Sequence, residues 1–439
     1  MTSKTNSMRT FYIVWAMQSI STLGTGLTAF AIGVWLFQQT QAVTPLAFLL
    51  LFKTLPVVLL SPLTGALVDR WDRRAALIVS DAGAALSTFV LALLFILTDV
   101  PLWGLYALVA FGSACEAFQR PAWQASITQL VPEEQYGRAG GMSQIGQGAT
   151  EIIAPLVAGL LIAVIDIGGI MLIDVGTFLL AAITVLFVRF PQRTAGPRAV
   201  RKRLLLSEIM EGVHYMRKQP GLFMLLIFFM TVGFQSGIIS SLIRPIILSF
   251  TSPQVLGSIF SIAGTAYLGA SLLLSVWGGP RRRVSGLIFS TLVFGLFIIL
   301  IGLRPLAWLI AIAVTGAHFC VPLMYGLNQA VWQKVVPENI QGRVFALKEM
   351  GIRAAKMLAY IVAGPLADNV FGPMLMPGGV LADSLGTVMG VGLGRGMELT
   401  FSLSGLLVVI TALVGVANRR LKLLDRPRVE QVTPVHAHT

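Results

Sequence analysis

Charge is what this chain lacks. Only 12% of its 439 residues are Asp, Glu, Lys or Arg, where a soluble domain carries roughly 25%. Hydrophobic residues make up 56%, and mean hydropathy is +0.81. A chain so poor in charge turns most of its surface toward lipid or other apolar helices, which makes it a polytopic membrane protein. Cysteine is nearly absent. Cys115 and Cys320 both lie inside apolar runs and read as small buried hydrophobes, which excludes a disulfide framework. Of four histidines, three fall in the central linker or the tail, so no metal-ligand set is expected. No Gly-x-x-x-x-Gly-Lys-Ser/Thr loop occurs, which leaves an ion gradient as the energy source. No nucleophile-plus-base arrangement appears either, so neither an enzyme nor a cofactor is expected.

The basic residues that give the net charge of +13 sit in short loops. That is the positive-inside pattern and not a nucleic-acid footprint. Twelve apolar runs reach the ~20 residues a bilayer demands: 11–37, 46–68, 75–98, 102–130, 140–165, 168–188, 221–250, 255–278, 283–303, 306–333, 344–371 and 397–417. The first is too long for a signal-peptide core of roughly 7–15 residues. One side receives Arg70 to Arg74, Arg138, the basic 189–218 segment, Arg281 to Arg283, Arg343 and the tail from Arg419. That side is expected to be cytoplasmic, with both termini inside. Trp35, Trp103 and Trp308 fall at predicted outer ends, and Trp277 and Trp332 at inner ends, as an interfacial belt should. The segment from 189 to 220 divides the chain. Its basic residues lead into Leu204-Leu205-Leu206 and Val213-Tyr215-Met216, a spacing that predicts an amphipathic helix on anionic lipid. The expected organisation is a six-helix half over 1–188, a linker over 189–220, a second half over 221–417 and a cytoplasmic tail over 418–439.

The halves repeat each other. Val131-Pro132-Glu133 with Gly137-Arg138 returns as Val336-Pro337-Glu338 with Gly342-Arg343, an offset of 205 residues from Pro132 to Pro337. The same offset relates Cys115 to Cys320, Gln124 to Gln329 and Ala125 to Ala330. Between the second and third runs lies Gly65-Ala66-Leu67-Val68-Asp69-Arg70-Trp71-Asp72-Arg73-Arg74, a loop too polar for hydrocarbon. Its pattern resembles the signature loop of the major facilitator superfamily. With Pro132-Glu133-Glu134-Gln135, Gly141-Met142-Ser143-Gln144, Ile173-Asp174-Val175, Gly342-Arg343-Val344-Phe345 and Gly364-Pro365-Leu366-Ala367-Asp368, the chain resembles the macrolide-efflux and enterobactin-exporter-like branch. The resemblance implies an all-α integral membrane protein of twelve transmembrane helices in two six-helix pseudo-repeats, with substrate held between the halves near the midplane.

Two groups of residues follow from these patterns. The first is gating. The resemblance implies that Asp69 latches against helix eleven and holds an outward-facing state, where Glu349 with Arg353 and Lys356 offers a partner zone. Gly65 permits close helix approach. Arg73 is within reach of Glu133 or Glu134 in the next loop, and Arg70, Arg138 and Arg343 complete the set. The second is coupling. Glu116 lies mid-run with Arg120 one turn on, and charges at that depth cost roughly 2.5–3.5 kcal/mol each on insertion scales, so they need partners or a function. The family's helix-four arginine would fall near Gly112 or Ser113 and is absent. Glu151 precedes Ala154-Pro155-Leu156-Val157-Ala158-Gly159, which resembles a degraded antiporter motif and implies an exporter. Pro155 also frees the carbonyl of Glu151 from its helical bond. His318 is mid-helix and reads either as bonded structure or as a proton relay. Arg120, Gln124, Pro155 and Gln329 are the cavity candidates. Asp174 and Glu398 read as near the outer surface, Asp81 as solvated or paired, and Lys53 and Arg244 as snorkelling outward.

The expected function is proton-coupled efflux of amphiphilic small molecules such as macrolide-like drugs, from a bacterial inner membrane, by a monomer. Its partners are a small-molecule substrate, protons and membrane lipid, with no nucleic acid. Three alternatives stand beside it: a siderophore or natural-product exporter, a lysophospholipid transporter, and a non-transporting membrane scaffold or sensor. The glycine-rich stretch 377–396 reads as an external loop with a short re-entrant or surface helix.

Overall fold

The computed structural model describes residues 4–68, 73–132, 135–188, 214–392 and 394–425. Within them twelve long helices account for almost the whole chain: α1 (Lys4–Thr40), α2 (Thr44–Val68), α3 (Arg73–Leu97), α4 (Leu102–Leu130), α5 (Tyr136–Leu161), α6 (Ile167–Phe187), α7 (Pro220–Leu248), α8 (Pro253–Trp277), α9 (Arg283–Ile301), α10 (Ala307–Val335), α11 (Glu338–Pro365) and α12 (Arg395–Ala417). They match the twelve apolar runs. Nine hold a window long and apolar enough to cross a membrane by composition alone. The other three, α4, α5 and α11, carry the mid-helix polar groups: Glu116, Glu151, and the Lys348 to Lys356 cluster.

Packing repeats as the sequence does. In the first half α1 packs on α5 and α6, α3 on α4 and α6, and α2 on α4. In the second half α7 packs on α11 and α12, α9 on α10 and α12, and α8 on α10. Adding six to each helix of the first set yields the second. The halves then meet through α5 on α8 and α2 on α11, a pair of seams related by the same operation. Both seams lie away from the basic loops, toward what is called here the far end. Gly257 of α8 is set directly on the carbonyl of Pro155, where any Cβ would collide. A Cβ at Gly159 would lie 2.7 Å from the carbonyl oxygen of Pro253. Ser261 donates to the carbonyl of Ile152 across the same seam.

The far end is also joined by a carboxylate. Asp368 lies in a π-helical turn, Leu366–Phe371, that continues α11. Its oxygens accept from the backbone N–H of Val43 at 3.0 Å, from that of Thr44 at 2.7 Å and from the Thr44 hydroxyl at 2.6 Å. A helix start leaves its first amides unbonded and carries partial positive charge, so a carboxylate belongs there. Asp425, beyond α12, does the same for α9. It accepts from Val284 N at 2.8 Å and from Ser285 N at 3.2 Å.

Four expectations need correction. Trp332 is not interfacial; it is fully buried and donates from Nε1 to Asn328 at 2.9 Å. Trp103, Trp277 and Trp308 are exposed, as a belt requires. Asp174 and Glu398, expected near the outer surface, are both buried, Asp174 at 0% exposure against α1 and Glu398 at 3% in an ion pair with Arg395 at 2.6 Å. Lys53 and Arg244 do not reach outward; both line an internal cavity. The run 344–371 is not one α-helix, because its last six residues are π-helical. In the 377–396 stretch the described residues form turns and a short helix, Gly386–Met389, with positive φ at Gly378, Gly390, Gly392 and Gly394. Most of the linker, and the tail beyond 425, lie outside the described residues. The described end of the linker docks inward, with Met216 buried and the Tyr215 hydroxyl donating to the carbonyl of Val335 at 3.3 Å.

Candidate functional site

A cavity of about 340 Å³ opens at mid-depth between the halves, within the range of small-molecule sites. Five helices wall it. Four charged side chains reach it, each from a different helix: Lys53 from α2, Glu116 from α4, Glu151 from α5 and Arg244 from α7. The two acids and two cations cancel in formal charge. Glu116 is the fifteenth of 29 residues in α4, and Glu151 the sixteenth of 26 in α5, so both sit at the centre of their helices. Between the charges the wall is mixed: Ser21, Thr22, Thr25 and Thr150 present hydroxyls and Gln119 an amide, while Ala29, Phe30, Ala154 and Pro155 present apolar surface. Such a surface suits a ligand with an apolar body and a charged group.

Arg244 is the second half's contribution. Its Nε has no hydrogen-bond partner among the described residues although it is buried. Its guanidinium stands 5.7 Å from the ring centre of Phe260, and that ring meets His318 edge-on at 5.9 Å. Glu151 acts electrostatically on Arg244, Tyr267 and His318. His318 itself is tied to its own helix, Nδ1 to the carbonyl of Val314 at 2.9 Å, and it does not line the cavity. Of the coupling candidates, then, Glu116 and Glu151 come together beside the cavity candidate Pro155, and His318 stands one ring behind Arg244.

Behind the wall lies a buried polar layer. Gln119, which lines the cavity, donates from Nε2 to Asp81 at 2.6 Å. Gln18 of α1 donates to the other carboxylate oxygen at 3.0 Å. Asp81 is 1% exposed, so the reading of it as paired holds and solvation does not. Toward the basic end Gln329 accepts from Lys348 Nζ at 2.8 Å. Lys348 also pairs with Glu349 at 3.3 Å and faces the rings of Phe345 and Trp332. Gln329 is therefore bound at the base of α10 rather than in the cavity. Glu349 is exposed, at the surface beside it. Arg138 stacks over Tyr12 at 5.8 Å and fastens α5 to α1. Arg74 donates to the carbonyls of Val185 and Leu186 and so caps the end of α6. Arg343 is the sixth residue of α11, on the same side. Asp69, Arg70 and Glu133 lie outside the described residues, as do the side chains of Arg73, Arg120 and Gln124 and the surroundings of Gly65.

Sequence reasoning gave Lys53, Arg244 and Asp174 no place in the site and passed over Lys348. The signal was present for each: an ionisable group inside an apolar helix marks function or a buried pair by default. Pattern alone did not show which face each one occupied.

An up-and-down bundle of two repeated halves around a central charged cavity is the architecture of a secondary transporter. The profile of the Major Facilitator Superfamily matches residues 14–360, and the chain belongs to that superfamily. It is a multi-pass membrane transporter and not an enzyme. Within the superfamily it falls with the macrolide-efflux branch. It is 29% identical to macrolide efflux protein A of Streptococcus pyogenes, over 82% of this chain and 90% of that one. It is 31% identical to macrolide efflux protein A of Enterococcus faecalis, over 67% of this chain and 92% of that one. Among solved structures it superposes on a bacterial homologue of the human lysosomal transporter Spinster, in an inward-facing and unoccupied conformation. There the TM-score is 0.73 at 14% identity, covering 97% of this chain and 99% of that one.

Proposed function

We propose that this protein exports amphiphilic small molecules across the bacterial plasma membrane in exchange for protons. The observation that supports the reading is the mid-depth cavity that Glu116 and Glu151 line together with Lys53, Arg244, hydroxyl groups and the apolar Ala29, Phe30, Ala154 and Pro155. Efflux relatives over most of the chain support the direction of transport. The basic end is cytoplasmic by the positive-inside rule, which puts both termini inside. With the halves joined at the far end, the conformation is then inward-facing. Rocking the halves about the cavity exposes it to the other side. The residues 1–188 and 221–417 act as the two moving bodies, 189–220 as their tether and 418–439 as a tail.

Glu116 and Glu151 meet cargo and water, and a protonated acid releases what a carboxylate holds. A cationic amphiphile fits Glu151, the more exposed of the two acids. Lys53 and Arg244 support a second reading, an anionic natural product such as a siderophore.

Proton flux in proteoliposomes under an imposed pH gradient tests both. Erythromycin, a lipophilic cation, a catecholate siderophore and a lysolipid are added in turn. Flux triggered by erythromycin or the cation, and lost in Glu151→Gln or Glu116→Gln, is the expected result. A response to the siderophore alone moves the assignment to anionic cargo. Flux untouched in the double variant sinks the coupling role of these acids.

A further inference from the structure

We infer that Asp174 is the proton-holding site of this transporter, placed behind the cavity wall and coupled to the cavity through helix α1. The inference rests on the proton-coupled reading above and adds a site to it. The carboxyl group is completely buried. Its Oδ2 has no hydrogen-bond partner of good geometry among the described residues, its Oδ1 has the Thr25 hydroxyl at a long 3.4 Å, and the Thr28 hydroxyl, also on α1, stands near the carboxyl without closing a hydrogen bond. No cation lies within ion-pair distance of it among the described residues. An ionised carboxylate held in that way has no counter-ion and only poorly placed hydroxyl donors, whereas a buried charge needs close ones. Compare Asp81, equally buried, where each oxygen receives an amide N–H. Two buried acids in one half are thus treated differently: Asp81 has a close amide donor on each oxygen, and Asp174 has one long hydroxyl contact.

The surroundings isolate the site. Helix α1 carries no ionisable side chain between Tyr12 and Thr40, and α6 carries none besides Asp174. From α3, which also packs on α6, the one acid is Asp81, already satisfied by Gln18 and Gln119. The charges whose fields reach Asp174 are Glu116 and Lys53, both on the cavity wall. Thr25 provides the link. It lines the cavity and touches Asp174, one residue from Gly24. A Cβ at Gly24 would lie 2.7 Å from Asp174 Oδ1, so α1 and α6 are in direct contact there. Loss of its proton toward cavity water leaves a charge that α1, in this packing, meets only with poorly placed hydroxyls. The helix must part from α6, and the same helix bears Ala29 and Phe30 of the cavity wall. Proton release and a change in cavity shape become one event.

Infrared difference spectroscopy of the full-length protein in lipid nanodiscs, titrated with acid and base, reads the site without any cargo. A carbonyl-stretch band of a protonated carboxyl that titrates in the wild type and disappears in Asp174→Asn is the expected result. Asp174→Glu should retain the band at a shifted position. In proteoliposomes Asp174→Asn should lose uphill erythromycin transport driven by the pH gradient yet keep erythromycin exchange at zero gradient. A wild type with no such band, or a band that persists in Asp174→Asn, overturns the inference. So does a sodium gradient that drives transport in place of protons. If erythromycin is not moved by the wild type at all, the cargo assignment fails while the infrared result still decides the site.

Discussion

Removing the Asp368 carboxylate should unlock the far end. The side chain accepts three hydrogen bonds from the start of α2, which belongs to the other half. When the halves part there, water takes over those donors, so the net value of a cap applies and not its gross strength. Losing a capping carboxylate costs about 1–2 kcal/mol, and the added hydroxyl bond about 1 kcal/mol. The total, roughly 2–3 kcal/mol, corresponds to a shift of about 30- to 150-fold in the equilibrium between joined and parted far ends. Asp368→Ala should show the full effect, and Thr44→Val about a fivefold part of it. Spin labels at Gln39 and Ser252, both exposed at that end and one in each half, report the separation by pulsed electron resonance once Cys115 and Cys320 are replaced. The expected outcome is a second, longer distance in Asp368→Ala, weaker in Thr44→Val. Identical distance distributions in all three proteins would refute the latch.

Three further outcomes follow from the geometry. Arg244→Met should abolish cargo-stimulated proton flux while leaving the folded protein intact by size-exclusion chromatography, because its Nε has no partner to lose; unchanged flux would remove it from the site. Gly257→Val should force α8 off the Pro155 carbonyl, and the same spin-label pair should report a parted far end; an unchanged distance would mean the seam yields elsewhere. Ending the chain before Asp425 uncovers the first amides of α9, which should lower thermal stability by about 1 kcal/mol, whereas ending it just after Asp425 should not.

Much of this fold was legible because lipid makes composition speak. Every helix had to be apolar and near bilayer length, so twelve runs became twelve helices within a few residues. Repeats at one offset told which helices correspond. Depth was legible too, since counting along a run put Glu116 and Glu151 at mid-helix. Facing was not. A helix surrounded by lipid on one side and helices on the other can be apolar all round, and the period that marks a soluble core fades. Lys53 and Arg244 therefore read as snorkelling when they turn inward. Asp174 was placed by its distance from a helix end, yet the contact with Gly24 decides its environment. The latch at Asp368 was hidden for another reason: its partners lie more than 300 residues away, and no local pattern joins Asp368 to Thr44.

That separation has a consequence for how the protein is made. The start of α2 leaves the ribosome early, with its first amides bare, and the carboxylate that satisfies them follows 324 residues later. Through most of synthesis the first six helices must hold their places without it. The end of α11 then arrives carrying the clasp that closes the molecule, so a chain stalled before Asp368 would lack both the clasp and α12, the helix that packs on α7 and α9.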